Sequence, residues 1–413
     1  MRRCLIVLCG LAAASPAWAE RADLPPAEMV ARALDEHPLV TAAAARLSSA
    51  RARSDMLRVG PQEVVVNSSL MRRNVEREGG FDEFDTTVSR AVRLPGKAAL
   101  DRQAGALGVE VAQNQMEDVR HQAALTLSGL WHDWITSAAH RRNDEEAVRA
   151  LDEAAAAVRR RLALGDAAQL EVDQAMAALG QAQAQAASSL AQQEQAHATL
   201  AASYPEVSLP AVPPTLASPE ATQLDLSALR ALVIARSHEI RAAERDAQRL
   251  EILARRARAD RTPDPSMGVR LFSERGGAET GAGVVASIPL AGNYRRAADE
   301  EAMSEANAAR LTLAAVQREI QAIADADRTN ARARLEAWRS AEASALSASA
   351  AVDRTERGYK AGQIDLVDLL YARRQATEAR RLEIDARSAA DRALLKIQID
   401  SHTVWAADEE EEP

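Results

Sequence analysis

The sequence predicts a mainly α chain with a small β part, in which one long helical hairpin and one strand pair each occur twice. Three observations carry this. The phrase "RRLALGDAAQLEVDQAMAAL" at 160–179 returns as "RGYKAGQIDLVDLLYARRQA" at 357–376, aligning Gly165 with Gly362 at an offset of 197. Of the 413 residues 47% are hydrophobic and only 3% aromatic, so the apolar total is alanine and aliphatics, which suit close-packed helices rather than a broad core. Four short segments alternate apolar and polar residues with period two, as half-buried strands do.

Residues 1–19 read as an export signal. Arg2 and Arg3 supply its positive end, Cys4 to Ala14 its apolar run, and Ala17-Trp18-Ala19 a small-x-small cleavage site before Glu20. Both cysteines, Cys4 and Cys9, fall inside it, so the mature chain is expected to hold neither a disulfide nor a thiolate metal site. Leu8 stands where a lipoprotein signal takes a small residue before its cysteine, which argues against a lipid anchor. Removing two arginines from 51 basic residues against 60 acidic ones gives the mature chain a formal charge of about −11. That balance argues against nucleic acid as a partner, because phosphate binding needs clustered Lys and Arg.

The first repeat, 20–204, opens with helical patterning over 27–59, continues through strands "EVVVNSSL" and "TTVSRAVRL", and ends in helical sequence from 97 to about 200. The run from Lys97 to Leu164 predicts a single rod of roughly 100 Å at 1.5 Å per residue. A Pro-rich linker, 205–224, separates it from the second repeat, 225–405, where helix, the strands "SMGVRLF" and "AGVVASIPL", and helix recur. Two further alignments support the duplication: Pro38 with His238 at an offset of 200, and Gly96 with Gly292 at 196. Residues 406–413 form an acidic tail expected to be disordered.

In the fourth strand Ala282, Val284, Ala286, Ile288 and Leu290 share one face; in the third, Met267, Val269 and Leu271 oppose Ser266, Gly268 and Arg270. The connections "MRRNVEREGGFDEF" and "SERGGAETG" read as polar loops. Four strands beside such long helices need strands of other chains, or a helical layer, to complete them. In the last helical region Ala302, Ala306, Ala309, Leu313, Val316, Ile320 and Ile323 form a heptad seam, which loses phase near Asp327 and resumes around Ala331, Leu335 and Trp338.

Each rod ends at the repeated phrase. Gly165 and Gly362 are expected to close the helices in the left-handed conformation, with Leu162 and Tyr359 three residues before, giving helix–turn–helix hairpins. At the other end of each rod, Pro95 and Gly96, and Pro289 and Gly292, mark corners where a strand enters a helix. Six residues after each turn glycine stand carboxylates, Glu171 and Asp368.

This order of elements resembles the TolC family of outer-membrane efflux proteins, over essentially the whole mature chain. The resemblance rests on the paired glycine turns and on the corners "LPGK" and "IPLAGN". It implies a homotrimer in the outer membrane, with four strands per chain closing a twelve-stranded β-barrel in lipid and the helices forming a periplasmic trunk. The implied partners are a periplasmic adaptor (membrane fusion) protein and an inner-membrane RND transporter. The closing stretch, 369–405, is similar to the cobalt, zinc and cadmium branch, where Asp400, His402 and Trp405 match an aspartate–x–histidine–x–x–tryptophan phrase. The resemblance also places acidic residues on the pore side of the hairpin tips. Glu171 and Asp368 then either form a pore-constricting ring or simply start the second helix, where negative charge suits the helix dipole. The family's next acidic position is Gln174 and Tyr371 here.

The seven histidines lie at 37, 121, 132, 140, 197, 238 and 402, none paired at i, i+4, so no helical metal site is expected. Trp131, His132 and Trp134 read as helix packing. No phosphate-binding Gly-Lys-Ser/Thr loop is present, so no catalytic residues, cofactor or enzymatic activity is expected. Organic-solute or drug export and type I protein secretion are the alternative cargoes; a periplasmic adaptor or a coiled-coil scaffold fits less well, having neither two hairpins nor two strand pairs.

Overall fold

A computed structural model describes residues 21, 23–219 and 224–405, so the signal segment and the acidic tail lie outside the described residues. Twelve elements follow one another: α1 (Ala27–Glu36), α2 (Pro38–Val59), β1 (Val64–Val75), β2 (Gly79–Ala91), α3 (Lys97–Ala163), α4 (Gln169–Ser203), α5 (Leu226–Arg236), α6 (His238–Ala259), β3 (Ser266–Glu274), β4 (Glu279–Ser287), α7 (Asn293–Lys360) and α8 (Leu366–Asp400). The fold is mainly α with one small antiparallel sheet, as expected. α3 and α7 are single helices of 67 and 68 residues, and α4 and α8 have 35 each.

Three details differ from the expectation. The helical stretches 27–59 and 225–260 each break once. Pro38 denies its predecessor the helical region, so His37 sits extended at ψ 132°. Ser237 breaks the second without a proline, its hydroxyl accepting from the Ile240 N–H to cap α6. The strands also run further than expected, into the polar "loops". Alternation continues through Arg72–Asp82 and Ser273–Thr280, and the true turns shrink to a few residues around Arg77 and Gly276. Polarity there marks solvated side chains, not an end to pairing. β4 in turn stops at Ser287, leaving Ile288 and Leu290 outside the ladder.

The described residues form two compact units, each drawing on both halves of the sequence. The first takes in Gly129–Pro219, Trp338–Asp391 and the described residues up to Ala33; the second takes in the remainder. In the first, Ala155, Val158, Val172, Ala175, Leu179 and Leu366 form a core around both hairpin turns. Trp338 is fully buried there and donates its indole N–H to Glu383 at 3.1 Å. Residues 205–219 are irregular but pinned, with Val207 and Leu216 buried. In the second, Leu229, Val233, Ile320, Ala324 and Ile397 form the core. The seam of α7 does not change winding at Asp327. Ile320, Ala324, Asp327 and Ala331 are buried in succession, so Asp327 occupies a seam position with a charge.

Candidate functional site

The sheet belongs to the second unit and has the order β1-β2-β3-β4, every neighbour antiparallel. Its register pairs Val66 with Val88, Val88 with Val269, and Val269 with Val284. With side chains alternating, one face therefore carries Val64, Val66, Leu70, Phe84, Val88, Met267, Val269, Leu271, Ala282 and Val284. This face is open: Leu70 is 84% exposed and Val284 79%. The opposite face carries Asn67, Ser69, Asp85, Thr87, Ser89 and Arg270, and Arg270 Nε donates to Asp85 at 2.8 Å. Among the described residues, nothing pairs with the outer edges of β1 and β4. The apolar face continues to Ile288 and Leu290 as expected in composition, but as an exposed corner rather than strand.

Both hairpin turns sit in the first unit, and both are Schellman closures. Gly165 at φ +78° donates to Leu162 O at 2.9 Å while Asp166 donates to Arg161 O at 2.8 Å. Gly362 at φ +71° donates to Tyr359 O at 3.0 Å, and Gln363 to Gly358 O at 2.9 Å. Leu162 and Tyr359 pack against the shared core. Arg161 joins the turns: its guanidinium donates to Tyr359 Oη at 2.9 Å, to the Asp166 carboxylate at 3.2 Å and to Glu171 at 3.4 Å.

The two repeat carboxylates are not equivalent. Glu171 lies three residues after the N-cap Ala168, accepts from that residue's N–H at 3.3 Å, and also takes Arg161. In the second hairpin Asp365 replaces Ala168 and caps α8 itself, accepting from the Asp368 N–H at 2.9 Å. Asp368 is thereby left exposed with its carboxylate free of the capping role. A groove of about 1030 Å³ in the same unit takes in Gln174 and Tyr371 among acidic and basic side chains such as Asp144, Glu356, Arg373 and Arg381.

The corners differ too. Gly96 has φ +89°, and Lys97 behind it is buried, its ammonium meeting Asp260 at 2.9 Å and Asp264 at 2.8 Å. Burial opposes the charge of Asp264, but Lys97 and the Leu94 N–H outweigh it and hold that carboxyl below its ordinary value. Gly292 lies outside the positive-φ region and Pro289 is exposed; the Arg295 side chain ties this corner to Asp260 O at 2.7 Å.

Sequence reasoning missed the buried polar clusters, because their members are far apart in the chain. In the first unit His132, fully buried, meets Asp391 at 2.9 Å, and Arg21 adds a second cation to that carboxylate. Burial opposes ionisation of Asp391, yet His132 and Arg21 hold its carboxyl below the usual range. Trp131, beside it, donates its indole N–H to Asp23 O at 2.7 Å. In the second unit His121 meets Asp400 at 3.0 Å, and Lys396 bridges Asp400 and Asp327. The early signals were the interrupted seam at Asp327 and the phrase containing Asp400 and His402. Among the described residues no three His, Cys, Asp or Glu side chains are arranged to hold a metal ion. Among them, too, no helix is long and apolar enough to cross a membrane, which says nothing of strands.

The duplicated long helical hairpins and the antiparallel four-stranded sheet match the TolC-like fold, and three solved structures that share it are outer-membrane proteins. OprN, an outer-membrane channel, is 19% identical with a TM-score of 0.75, over 92% of this chain and 90% of its own. The outer-membrane protein VceC of Vibrio cholerae is 17% identical at TM-score 0.74, over 92% and 99%. The MtrE outer-membrane channel of Neisseria gonorrhoeae, in its open state, is 15% identical at TM-score 0.74, over 91% and 88%. No protein-family model and no curated protein sequence matches the chain. The likeness therefore establishes the fold.

Proposed function

We propose that the chain is one subunit of a trimeric outer-membrane channel, the passive conduit of a tripartite efflux pump. The observation that carries this is the sheet: an exposed, mostly apolar face, a reverse that mixes polar with apolar side chains, and two edges unpaired among the described residues, on strands of nine to thirteen residues. Membrane-spanning strands need about 9–11 residues and an edge-free closure, which only strands from further copies supply here. Three copies contribute twelve strands. The helices then extend into the periplasm, towards an adaptor protein and an inner-membrane RND transporter that provides the energy.

For cargo we propose divalent metal cations such as cobalt, zinc or cadmium, on the resemblance of residues 369–405 to that branch. Such a conduit conducts the ion and does not hold it tightly, since tight binding slows exit. Asp368, exposed and released from capping by Asp365, is the better of the two candidates for a carboxylate ring; Glu171 is committed to its helix and to Arg161. Intracellular metals measured by elemental analysis, in a deletion strain and its complemented counterpart, test the cargo. Accumulation of one or two metals reversed by complementation is expected. Unchanged metals, with redundant channels removed, would move the cargo to organic solutes or secreted protein. Asp368→Ala should lower cation preference and conductance in planar bilayers, and Glu171→Ala should not.

A further inference from the structure

Three histidines from distant parts of the chain meet in the second unit: His121 of α3, His238 at the first turn of α6, and His402 in the turn after α8. The His402 ring stands 4.7 Å from that of His238, edge-on, and 5.2 Å from that of His121. The buried Nδ1 of His238 has no hydrogen-bond partner. Imidazoles are the side chains that exchange a proton near physiological pH. His402 itself sits in the left-handed region at φ +53°, in a turn whose Ser401, His402 and Thr403 N–H groups donate back to Ile397, Ile399 and Gln398 and which is tied to neighbouring elements as well. Arg236 donates to Ser401 O at 3.3 Å and His402 O at 3.1 Å, and Arg120 donates to Trp405 O at 3.4 Å.

We propose that His238 and His402 form an acid-sensitive latch, which fastens the C-terminal turn Ser401–Trp405 to the start of α6 near neutral pH and releases it as the medium acidifies. The charges around the latch favour neutral imidazoles. Arg236 of α5 and Arg241 of α6 stand close, the positive end of α6 lies at His238, and His121 contacts Asp400 at 3.0 Å. Glu239, beside His238, is the opposing charge; it is engaged with Ser237 at 2.7 Å and with Asp118 of α3. Burial first, and then the neighbouring imidazole, hold both His238 and His402 down to about 4.

The sign follows from linkage. A histidine held below its unfolded value stabilises the closed turn fully above pH ~6.5, and that stabilisation is lost as pH falls towards ~4. Release lets each imidazole titrate freely, so opening at pH 5 should rise about 30-fold per histidine over pH 8, and roughly 900-fold for the pair.

Amide hydrogen exchange of residues 398–405 in the full chain in detergent, corrected for intrinsic rates, tests this. Protection should fall steeply from pH 8 to pH 5 in the native sequence. The double variant His238→Gln, His402→Gln should lose that pH response. Should the double variant not fold, His402→Gln alone should cut the response to about 30-fold. Asp327→Asn, which removes the nearby titrating carboxylate, should leave it intact. Protection that is independent of pH, a response surviving in the double variant, or one abolished by Asp327→Asn would each overturn the latch.

Discussion

Gly165 and Gly362 adopt positive φ with nothing within 4 Å of the position a Cβ would take, so their requirement for glycine is conformational alone. Alanine at either turn should lower the unfolding free energy by about 1 kcal/mol in denaturant titration. The same holds for Gly96, whereas Gly292, outside that region, should lose only a few tenths of a kcal/mol. Equal losses at Gly96 and Gly292 would contradict the asymmetry of the two corners, which identical sequence roles had hidden. The caps separate in the same way. Asp365→Ala removes the acceptor of the Asp368 N–H and should cost about 1 kcal/mol, while Asp368→Ala should cost under about 0.5 in the same titration and act on conductance instead. The glycine turns were legible because one backbone conformation demands one residue type. The difference between Glu171 and Asp368 was not, since it depends on whether the residue three positions earlier, Ala168 or Asp365, can cap.

At the scale of elements, helix length was legible almost to the residue: a rod from Lys97 to Leu164 was expected and Lys97–Ala163 is found. Helical periodicity is a local signal repeated many times, so errors average out. Strand ends were less legible because polar residues can stay in a ladder as long as their side chains reach water. The alternation does make a directional prediction. Arg at Val269, on the apolar face, should destabilise the assembled protein by about 2–4 kcal/mol, while Lys at Ser69, on the polar face, should be tolerated, as read from the temperature at which the oligomer dissociates. Equal effects would mean the faces are misassigned. The seam of α7 carries a second prediction. Burial, and then a hydrogen bond shared with Asp400, push the Asp327 carboxyl up to about 6. A carboxyl raised above its unfolded value near 4 favours the folded state while protonated and disfavours it above pH 6. Asp327→Asn should therefore become more favourable to stability from about pH 4 to pH 6 and level off above that in urea titrations, and a pH-independent difference would refute it.

For the whole molecule, the duplicated order of elements could be read from the repeated phrases, whereas neither the three-histidine cluster nor the His132–Asp391 pair could. Residues 121, 238 and 402 belong to three elements, and no spacing rule connects them before the fold does. The edges of β1 and β4, unpaired among the described residues, pose the same kind of question one level up. An apolar sheet with two free edges is a template for further strands, and in lipid each unpaired backbone group costs several kcal/mol, so on the channel reading proposed above other copies close the sheet. Both cysteines lie at positions 4 and 9, so a processed chain offers a thiol-free background for cross-linking. With Val284→Cys on β4 fixed, and cysteine placed in turn at Val64, Val66 and Ser68 on β1, mild oxidation in native outer membranes should yield a covalent trimer for at least one pairing. Each disulfide would join β4 of one copy to β1 of the next, so a closed ring of three is the largest product expected. Covalent dimers alone would point to a face-to-face pair of sheets instead, and monomer throughout would require the four strands to be completed by something other than this chain.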